Sequence, residues 1–359
     1  MRIYVSACIL KNPLKFGLIG CGRVAPRHAQ SISELPGATL VAVADIKTSR
    51  ADRFAQEHDA LAYADYRQLL DRPDIDVVNI CTPSGLHAAM AIEAMTAGKD
   101  VVVEKPMALS LEDANRMIGV ARATGRKLSV VLQNRYNPPM QELRRVVDSG
   151  RLGRLLLGNV TVRWYRPQAY YEDEWHGTRA MDGGALMNQS IHHIDALQWF
   201  MGPPASVFAY TATLAHQIEV EDTGVAVIRF RGGGMGAVEG STITYPQNLE
   251  GSLALFGERG SLKVGGTALN RKVLWKIQGE LELEQQWLTQ DQVDPPSVYG
   301  ASHKAVIADM IAAIREDREP QTGGPEARKS VALVLAMYES AHTGQPVDMT
   351  NGIWNGDHV

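Results

Sequence analysis

The segment Gly17-Leu18-Ile19-Gly20-Cys21-Gly22-Arg23-Val24-Ala25 constrains this chain more than any other. It carries G-x-G-x-x-A between an apolar run, Leu14–Ile19, and a helix-length stretch from Arg23 to about Leu35 that Pro36-Gly37 ends. Gly20 permits a tight turn, Gly22 lets the backbone approach a pyrophosphate, and Ala25 is small enough for close packing of helix on strand. The helix points unpaired N–H groups at the phosphates, and its dipole favours the same charge. A glycine string alone is weak, because surface turns produce it too. Here the unit from Lys15 to Asp45 has βαβ length, and Asp45 ends a second apolar run, Thr39–Ala44, where an acid meets ribose hydroxyls. The expectation is dinucleotide binding by Gly20, Gly22, Arg23, Val24 and Asp45. An acid at Asp45 repels a 2′-phosphate and so favours NAD over NADP, with Lys47 and Arg50 close behind.

From Leu14 onward the pattern alternates as in a parallel sheet with helical crossovers. Asp76–Cys81 reads as a buried strand, Leu86–Ala97 as a helix closing on Gly98, and Asp100–Val103 as a further strand. Ser110, with Asp113 three residues on, caps the next helix, and Leu128–Leu132 completes the domain. After about Gln133 the texture changes. Short alternating segments appear at Gly158–Arg166, Val207–Leu214, Gly224–Phe230, Gly236–Ile243 and Ser252–Phe256, separated by turns such as Gly232-Gly233-Gly234. They predict one mostly antiparallel sheet, open on one face. Helices are expected over Gly184–Met201, His303–Asp317 and Glu326–His342. The predicted fold is therefore α/β, with an N-terminal Rossmann domain over 14–133 and an α+β domain for substrate binding and oligomerisation over 134–350.

A length of 359 residues fits two domains of moderate size. The net charge of −4 leaves no basic footprint for nucleic acid, and no apolar run is long enough to span a membrane. Cys8, Cys21 and Cys81 are scattered, which gives neither a disulfide framework nor a zinc site and suits a reducing, cytoplasmic compartment. Val5-Ser6-Ala7-Cys8 resembles a lipoprotein cleavage box, but the apolar run before it is too short for a secretion signal. Residues 1–13 are read as an extension.

Cys81-Thr82-Pro83-Ser84 and Glu104-Lys105-Pro106 end two buried strands at the edge where open α/β sheets bind ligands. Thr82, Pro83, Glu104 and Lys105 are thus candidate cofactor contacts, with Lys105 at the mouth of the nicotinamide site. The bland alternative is a surface lysine at a strand end. The Lys105–Pro106 bond is a place for unusual peptide geometry. Farther on, Gly183-Gly184 opens a helix on which Asn188 and His192 are four apart and share a face. Asp195, three beyond His192, is placed to orient its ring. An imidazole suits removal of a proton from a sugar hydroxyl, because its pKa sits near neutrality. His192 and His193 cannot both face one site, so one of them is structural. The stretch Arg163-Trp164-Tyr165-Arg166-Pro167-Gln168-Ala169-Tyr170-Tyr171, with Trp175-His176, offers surfaces for a base, a sugar or phosphates; an edge strand and packed loop account for it equally well. Tyr299-Gly300-Ala301-Ser302-His303 offers donors at another helix start.

Together these features resemble the glucose–fructose oxidoreductase/inositol dehydrogenase family (Gfo/Idh/MocA), from Leu14 to about His342. The resemblance implies that Lys105 and His192, rather than His193, are catalytic, and it leaves open which of the two is the base. Asn188 stands where most members have Asp. An amide cannot relay a proton, so Asn188 is expected to hydrogen-bond substrate or cofactor. Within the family the likeness is greatest to bacterial dehydrogenases of UDP-N-acetylglucosaminuronic acid, which oxidise the sugar's 3-hydroxyl. Pro83-Ser84-Gly85-Leu86-His87, Gln133-Asn134-Arg135, Arg166-Pro167-Gln168 and Met187-Asn188-Gln189 carry it, with Tyr210–Ala215, Ile218–Gly224 and Asn248–Gly251. It adds His87 and Gln133 to the cofactor contacts. With the residues read above, the contacts expected for the sugar nucleotide are Lys105, Arg163, Tyr165, Arg166, Gln168 and Tyr171, together with Trp175, Asn188, Gln189, His192, Tyr299 and His303. It also implies NAD as cofactor, no metal, a homotetramer, and a place in surface polysaccharide biosynthesis. Three rivals stay open: a dehydrogenase of a free polyol such as inositol, a non-catalytic NAD-binding sensor, and a hydrolase that uses NAD transiently. A sensor needs neither Lys105 nor His192.

Overall fold

The computed structural model describes residues 13–266, 268–280 and 302–354. They divide into two compact units, the first of which is discontinuous in sequence. It holds the described chain up to Met107, then Asp113–Val131, then His303–Gly324. The remaining described residues form the second.

In the first unit the strands are β1 (Leu14–Ile19), β2 (Ala38–Ala44), β3 (Leu61–Tyr63), β4 (Val77–Ile80), β5 (Asp100–Val103) and β6 (Leu128–Val130). The crossovers contain α1 (Ala25–Ser33), α2 (Thr48–His58), α3 (Tyr66–Leu70), α4 (His87–Thr96) and α5 (Leu111–Thr124). All strand pairs are parallel, in the order β3-β2-β1-β4-β5-β6. Every residue of β4 and β5 is buried. A parallel sheet is covered on both faces, which is why these strands read as continuous apolar runs without alternation. The strand order reverses at β1, and that switch point is where such sheets bind ligands.

The expected boundary between 14–133 and 134–350 needs correction. The helix His303–Glu316 belongs to the first unit, where it packs on α1. Its Val306, Ile307, Met310 and Ala313 are buried, as are Ala25, Ala29 and Ile32 of α1. Lys304 bonds Glu34 at 3.2 Å, and Arg315 reaches the Gly37 carbonyl at 3.5 Å. A stripe of that kind shows that a helix is covered, but not by which sheet.

The second unit is built on β7 (Leu155–Arg163), β8 (Pro204–Ala212), β9 (Thr223–Phe230), β10 (Met235–Ser241), β11 (Glu250–Gly257), β12 (Gly260–Gly265), β13 (Arg271–Ile277) and β14 (Val347–Asp348). Their order is β13-β12-β11-β7-β10-β9-β8-β14, with β7 and β10 parallel and the other neighbours antiparallel. Helices α6 (Pro138–Asp148) and α7 (Ile191–Met201) pack against it. In β9 Gly224, Ala226, Ile228 and Phe230 are buried, while Val225 and Val227 are 50% and 57% exposed. Tyr210 pairs with Val225 and is also exposed, so one face of the sheet is open to solvent and carries apolar side chains there, as its alternation predicts.

The helix expected over Gly184–Met201 is two pieces. Ala185–Gln189 forms a π-helical turn, and α7 follows after Ser190. Gly183 and Gly184 adopt φ of +90° and +98°, and the Ala185 N–H goes to the Glu221 carbonyl at 3.1 Å. Ser190 N then closes on the Ala185 carbonyl at 2.8 Å, an i→i+5 bond. Apolar spacing does not separate such a turn from an α-helix.

The second unit has a buried ionic centre. Arg135 donates to Asp195 through Nε and Nη2, both at 2.7 Å, and to Glu326 at 3.2 Å; Ser330 Oγ donates to Asp195 at 2.6 Å. Arg135→Met would leave the Asp195 charge uncompensated. We expect it to lower the unfolding free energy of the whole chain by about 3–5 kcal/mol, read from urea denaturation.

Candidate active site

The glycine turn in the first unit is set by contact. Gly20 has φ +92°, and a Cβ there would fall 2.7 Å from the Cys81 carbonyl oxygen. Only glycine combines that backbone with that approach. At Gly22 a Cβ would meet nothing within 4 Å, so the backbone is open to a pyrophosphate. Val24 caps α1 without a side-chain acceptor for the first-turn N–H groups, and Arg23 is exposed beside it. Those donors suit an anion. Asp45 stands at the end of β2, where its Oδ2 accepts from Cys21 N at 2.9 Å and its Oδ1 from Lys47 N at 2.8 Å. Arg50 approaches the same carboxylate at 3.5 Å. The acid expected on the ribose is thus fixed to the glycine turn itself, and the cradle fits a dinucleotide.

At the ends of β4 and β5 the geometry changes several expected roles. His87 spans two loops: its Nδ1 lies 2.7 Å from the Pro106 carbonyl and its Nε2 2.9 Å from the Thr82 carbonyl. Burial depresses its pKa. Both ring nitrogens face backbone carbonyls, and the neutral ring donates to one of them, so His87 lies between the Thr82-Pro83 and Lys105-Pro106 turns with both nitrogens directed at the backbone. Glu104 is buried and turned inward. Its Oε1 lies 2.9 Å from His28 Nε2 and 3.5 Å from His303 Nε2, and its Oε2 accepts the Lys105 N–H at 3.2 Å. Burial works against the Glu104 carboxylate, but the hydrogen bonds of His28 and His303 hold its pKa well below the usual range. Asn79 Nδ2 donates to His28 Nδ1 at 2.8 Å, which leaves the His28 proton on Nε2, facing Glu104.

The carboxylate of Glu104 therefore serves the turn and not the cofactor. His303, expected on the substrate, sits with its ring edge-on to His28 at 5.5 Å, in the core of the first unit. The ligand atoms of His28, Glu104 and His303 lie within 4.8 Å of one another, close enough for a divalent cation, yet the direct contact of His28 with Glu104 is already a hydrogen bond. Lys105 is part-buried, at a cis peptide bond to Pro106.

In the second unit the segment from Asp182 to Asp195 is buried at nearly every position. Asn188 Nδ2 donates one hydrogen bond to Asp182 Oδ1, an acid that spacing did not single out. Gln189 has no protein partner at either end of its amide, which is 5% exposed as a residue. A buried amide left that way calls for a partner that the protein itself does not supply, such as water or a ligand. The tandem histidines separate. His193 is fully buried, edge-on to Trp164 at 5.9 Å, and burial brings its pKa down to about 4. It is a core residue; His192 keeps 8% exposure. The role expected for Asp195 is overturned, since Arg135, Ser330 and Gln198 occupy its oxygens.

The aromatic segment divides too. Arg163 is committed to Glu239 at 2.6 and 2.7 Å and to Glu250 at 3.1 Å on the open sheet face, so it is an ion-pair residue of the sheet. The register explains this, because Glu250 pairs directly with Arg163. Tyr171 bonds Thr242 at 3.0 Å, and burial pushes its hydroxyl up to about 12. That hydroxyl is occupied within the unit. Arg166 lies over Trp164 at 5.2 Å and Tyr170 at 5.3 Å, with Nη1 3.1 Å from Asn248 Oδ1. Tyr165 meets Tyr245 edge-on at 5.6 Å, exposed Gln168 meets Gln217, and Trp175 lies on His176 at 3.7 Å. Gln133 is buried, and Tyr299 lies outside the described residues. Sequence reasoning missed His28, Asn79, Glu221 and Tyr338, whose partners are distant in sequence, and also Asp182, whose partner Asn188 lies only six residues on.

Known proteins place this geometry. A family model described as an oxidoreductase family with an NAD-binding Rossmann fold matches residues 14–132, and a GFO/IDH/MocA C-terminal domain model matches 140–263. The WlbA dehydrogenase from Bordetella pertussis, in complex with NADH and UDP-GlcNAcA, is similar with a TM-score of 0.88 and 40% identity, over 94% of this chain and 98% of its own. That of Chromobacterium violaceum, with the same ligands, gives 0.88 and 38% over 95% and 97%. Myo-inositol 2-dehydrogenase of Thermotoga maritima is 25% identical over 94% of this chain and 98% of its own.

Asp45, at the end of β2 beside the glycine turn, is expected to favour NAD over NADP. Asp45→Ala should weaken NAD binding at least about tenfold, the scale of a hydrogen bond to a charged group, and narrow the gap to NADP. Calorimetric titration with both nucleotides checks this; tighter binding of NADP than NAD by the unaltered protein would reverse the assignment.

Proposed function

The chain belongs to the GFO/IDH/MocA family of NAD-dependent oxidoreductases, and from that premise we propose that it oxidises the 3-hydroxyl of UDP-N-acetyl-2-amino-2-deoxy-D-glucuronate. The observation that carries the substrate is the whole-length likeness to two dehydrogenases crystallised with NADH and UDP-GlcNAcA. The orphaned amide of Gln189, beside Asn188, supports a ligand at the start of α7.

In this reading His192 takes the proton from the reacting hydroxyl, and Lys105 hydrogen-bonds that oxygen and steadies its developing charge. NAD supplies the hydride acceptor when bound. Glu104, held by His28 and His303, fixes the Lys105 backbone. Arg166 and Trp175 are proposed for the nucleotide, Asn188 and Gln189 for the sugar. We assign the reaction to the cytoplasm, as a step toward surface polysaccharide, in a homotetramer that covers the apolar face of Val225 and Val227. A free polyol is the second reading, favoured by the inositol dehydrogenase relative.

His192→Ala and Lys105→Ala should each cut kcat by at least about a hundredfold while NAD still binds. Near-normal turnover in both variants would end the assignment. A panel of uronic acids and polyols, with and without the UDP moiety, decides the substrate: oxidation confined to free inositol would replace the nucleotide sugar.

Val227→Glu should leave a smaller species in sedimentation velocity, because a buried charge is costly at such a face. An unchanged sedimentation coefficient would place the subunit contact elsewhere.

A further inference from the structure

Glu221 and Tyr338 lie at the base of the turn that carries Asn188 and Gln189 and leads into α7 with His192, and nothing in the roles above uses them. Tyr338 belongs to the helix Gly324–Thr343, and Glu221 precedes β9. The Tyr338 hydroxyl oxygen is 2.6 Å from the Gly183 carbonyl and 2.8 Å from Glu221 Oε1, and it accepts the Met187 N–H at 3.2 Å. Glu221 Oε1 also accepts the Leu186 N–H at 2.8 Å, and the Glu221 carbonyl accepts the Ala185 N–H at 3.1 Å. Three successive N–H groups of the turn thus end on these two residues.

The protons do not balance if Glu221 is ionised. One phenolic proton would then face two acceptors, the Gly183 carbonyl and a carboxylate, both at full hydrogen-bond distance. A proton on Glu221 removes the conflict: the acid donates to the Tyr338 oxygen, and Tyr338 donates to Gly183. The surroundings favour that form. Burial pushes the Glu221 carboxyl up to about 7, and the neighbouring Asp182 charge adds to the shift. The titratable groups facing Glu221 are Tyr338, from the helix, and Asp182, from the loop before the glycine pair. Burial, with Glu221 second, raises the Tyr338 phenol well above its ordinary range, so the phenol stays protonated. Neighbouring Asp222 is turned to the N–H groups of Leu214, Ala215 and His216. Gly184 must be glycine here, since its φ is +98° and a Cβ would overlap the Glu221 carboxylate.

We propose that Glu221 is a positioning residue that works as the neutral acid, its proton shared with Tyr338 so that the glycine pair and the π-turn hold Asn188, Gln189 and His192 in place. The proposal rests on the reading of His192 as the base. Loss of the proton returns two acceptors to one donor and sets a negative charge beside Asp182, which loosens the turn. The acidic limb of the rate profile then belongs to His192 and an alkaline limb, near pH 7, to Glu221.

The test compares the full-length enzyme with Glu221→Gln and Tyr338→Phe. Kcat/KM is followed against pH, and amide exchange of Leu186 and Met187 is followed with no substrate present. In the unaltered protein, protection of those amides should fall as pH rises through about 7, beyond the intrinsic rise in exchange. In Glu221→Gln that step and the alkaline limb should vanish together, with kcat below the limb reduced by no more than about tenfold, the worth of one hydrogen bond. Tyr338→Phe removes the acceptor of the Glu221 proton and, with it, the one phenolic donor to the anion, so its limb should leave the position it holds in the unaltered protein. An alkaline limb unchanged in Glu221→Gln, or protection with no step in the unaltered protein, overturns the proposal. Should Glu221→Gln fail to fold, Tyr338→Phe decides: an alkaline limb that stays where it is in the unaltered protein overturns it. A step in protection without turnover of any sugar would instead defeat the dehydrogenase reading and leave the acid in its place.

Discussion

The carboxylate of Glu104 is the point on which the first unit is assembled. A buried carboxylate costs several kcal/mol unless its oxygens are satisfied, and removal of one partner leaves that cost standing. Here the partners come from four places in the chain: His28 on α1, Asn79 on β4 through His28, the Lys105 amide, and His303 at the start of a late helix. Each ties an element to the end of β5. The same contacts hold the backbone of Lys105 against a rigid strand edge, where a loop lysine would otherwise move. They also explain why the chain comes back to the first unit after the whole sheet of the second, since without His303 and its helix both α1 and the carboxylate would lose cover.

The second unit uses the same logic with the signs reversed. Arg135 is buried, and Asp195 and Glu326 neutralise it from α7 and from the helix Gly324–Thr343. Asp195 therefore belongs to the scaffold beneath the histidines. Its place three residues after His192 invites a catalytic reading. Its oxygens, all engaged by Arg135, Ser330 and Gln198, refuse it.

What the sequence made legible follows from how local each signal is. Gly20, Gly22 and Asp45 form one βαβ unit, and turn, helix terminus and acid fall where their spacing puts them. The strands β1, β2, β4 and β5 were readable because burial on both faces leaves unbroken apolar runs. By contrast α2, β3 and α3 are short or polar and left little pattern, and so did α6, β12 and β13 in the second unit. Site residues were legible only when their partners were near in sequence. His28 and Glu104 are 76 positions apart, and Glu221 and Tyr338 are 117 apart. No periodicity encodes such pairs. Arg163 and His303 misled for a related reason: each residue type suits a ligand, but one was claimed by a cross-strand acid and the other by a buried one.

The departure at Asn188 now has a physical account. The resemblance puts an acid there, and the structure already puts Asp182 and Glu221 around the glycine pair. A third carboxylate against Asp182 would raise the pKa of one or both, because like charges in a buried site do not ionise together. An amide instead donates a hydrogen bond to Asp182, whose other oxygen takes the Gly177 N–H at 2.8 Å. Asp182 can then stay ionised with both oxygens satisfied, and the proton in that corner of the unit is left to Glu221. The amide cannot pass a proton to His192, and in this arrangement it has no need to: its work is to keep the acids apart in charge while the turn keeps its shape.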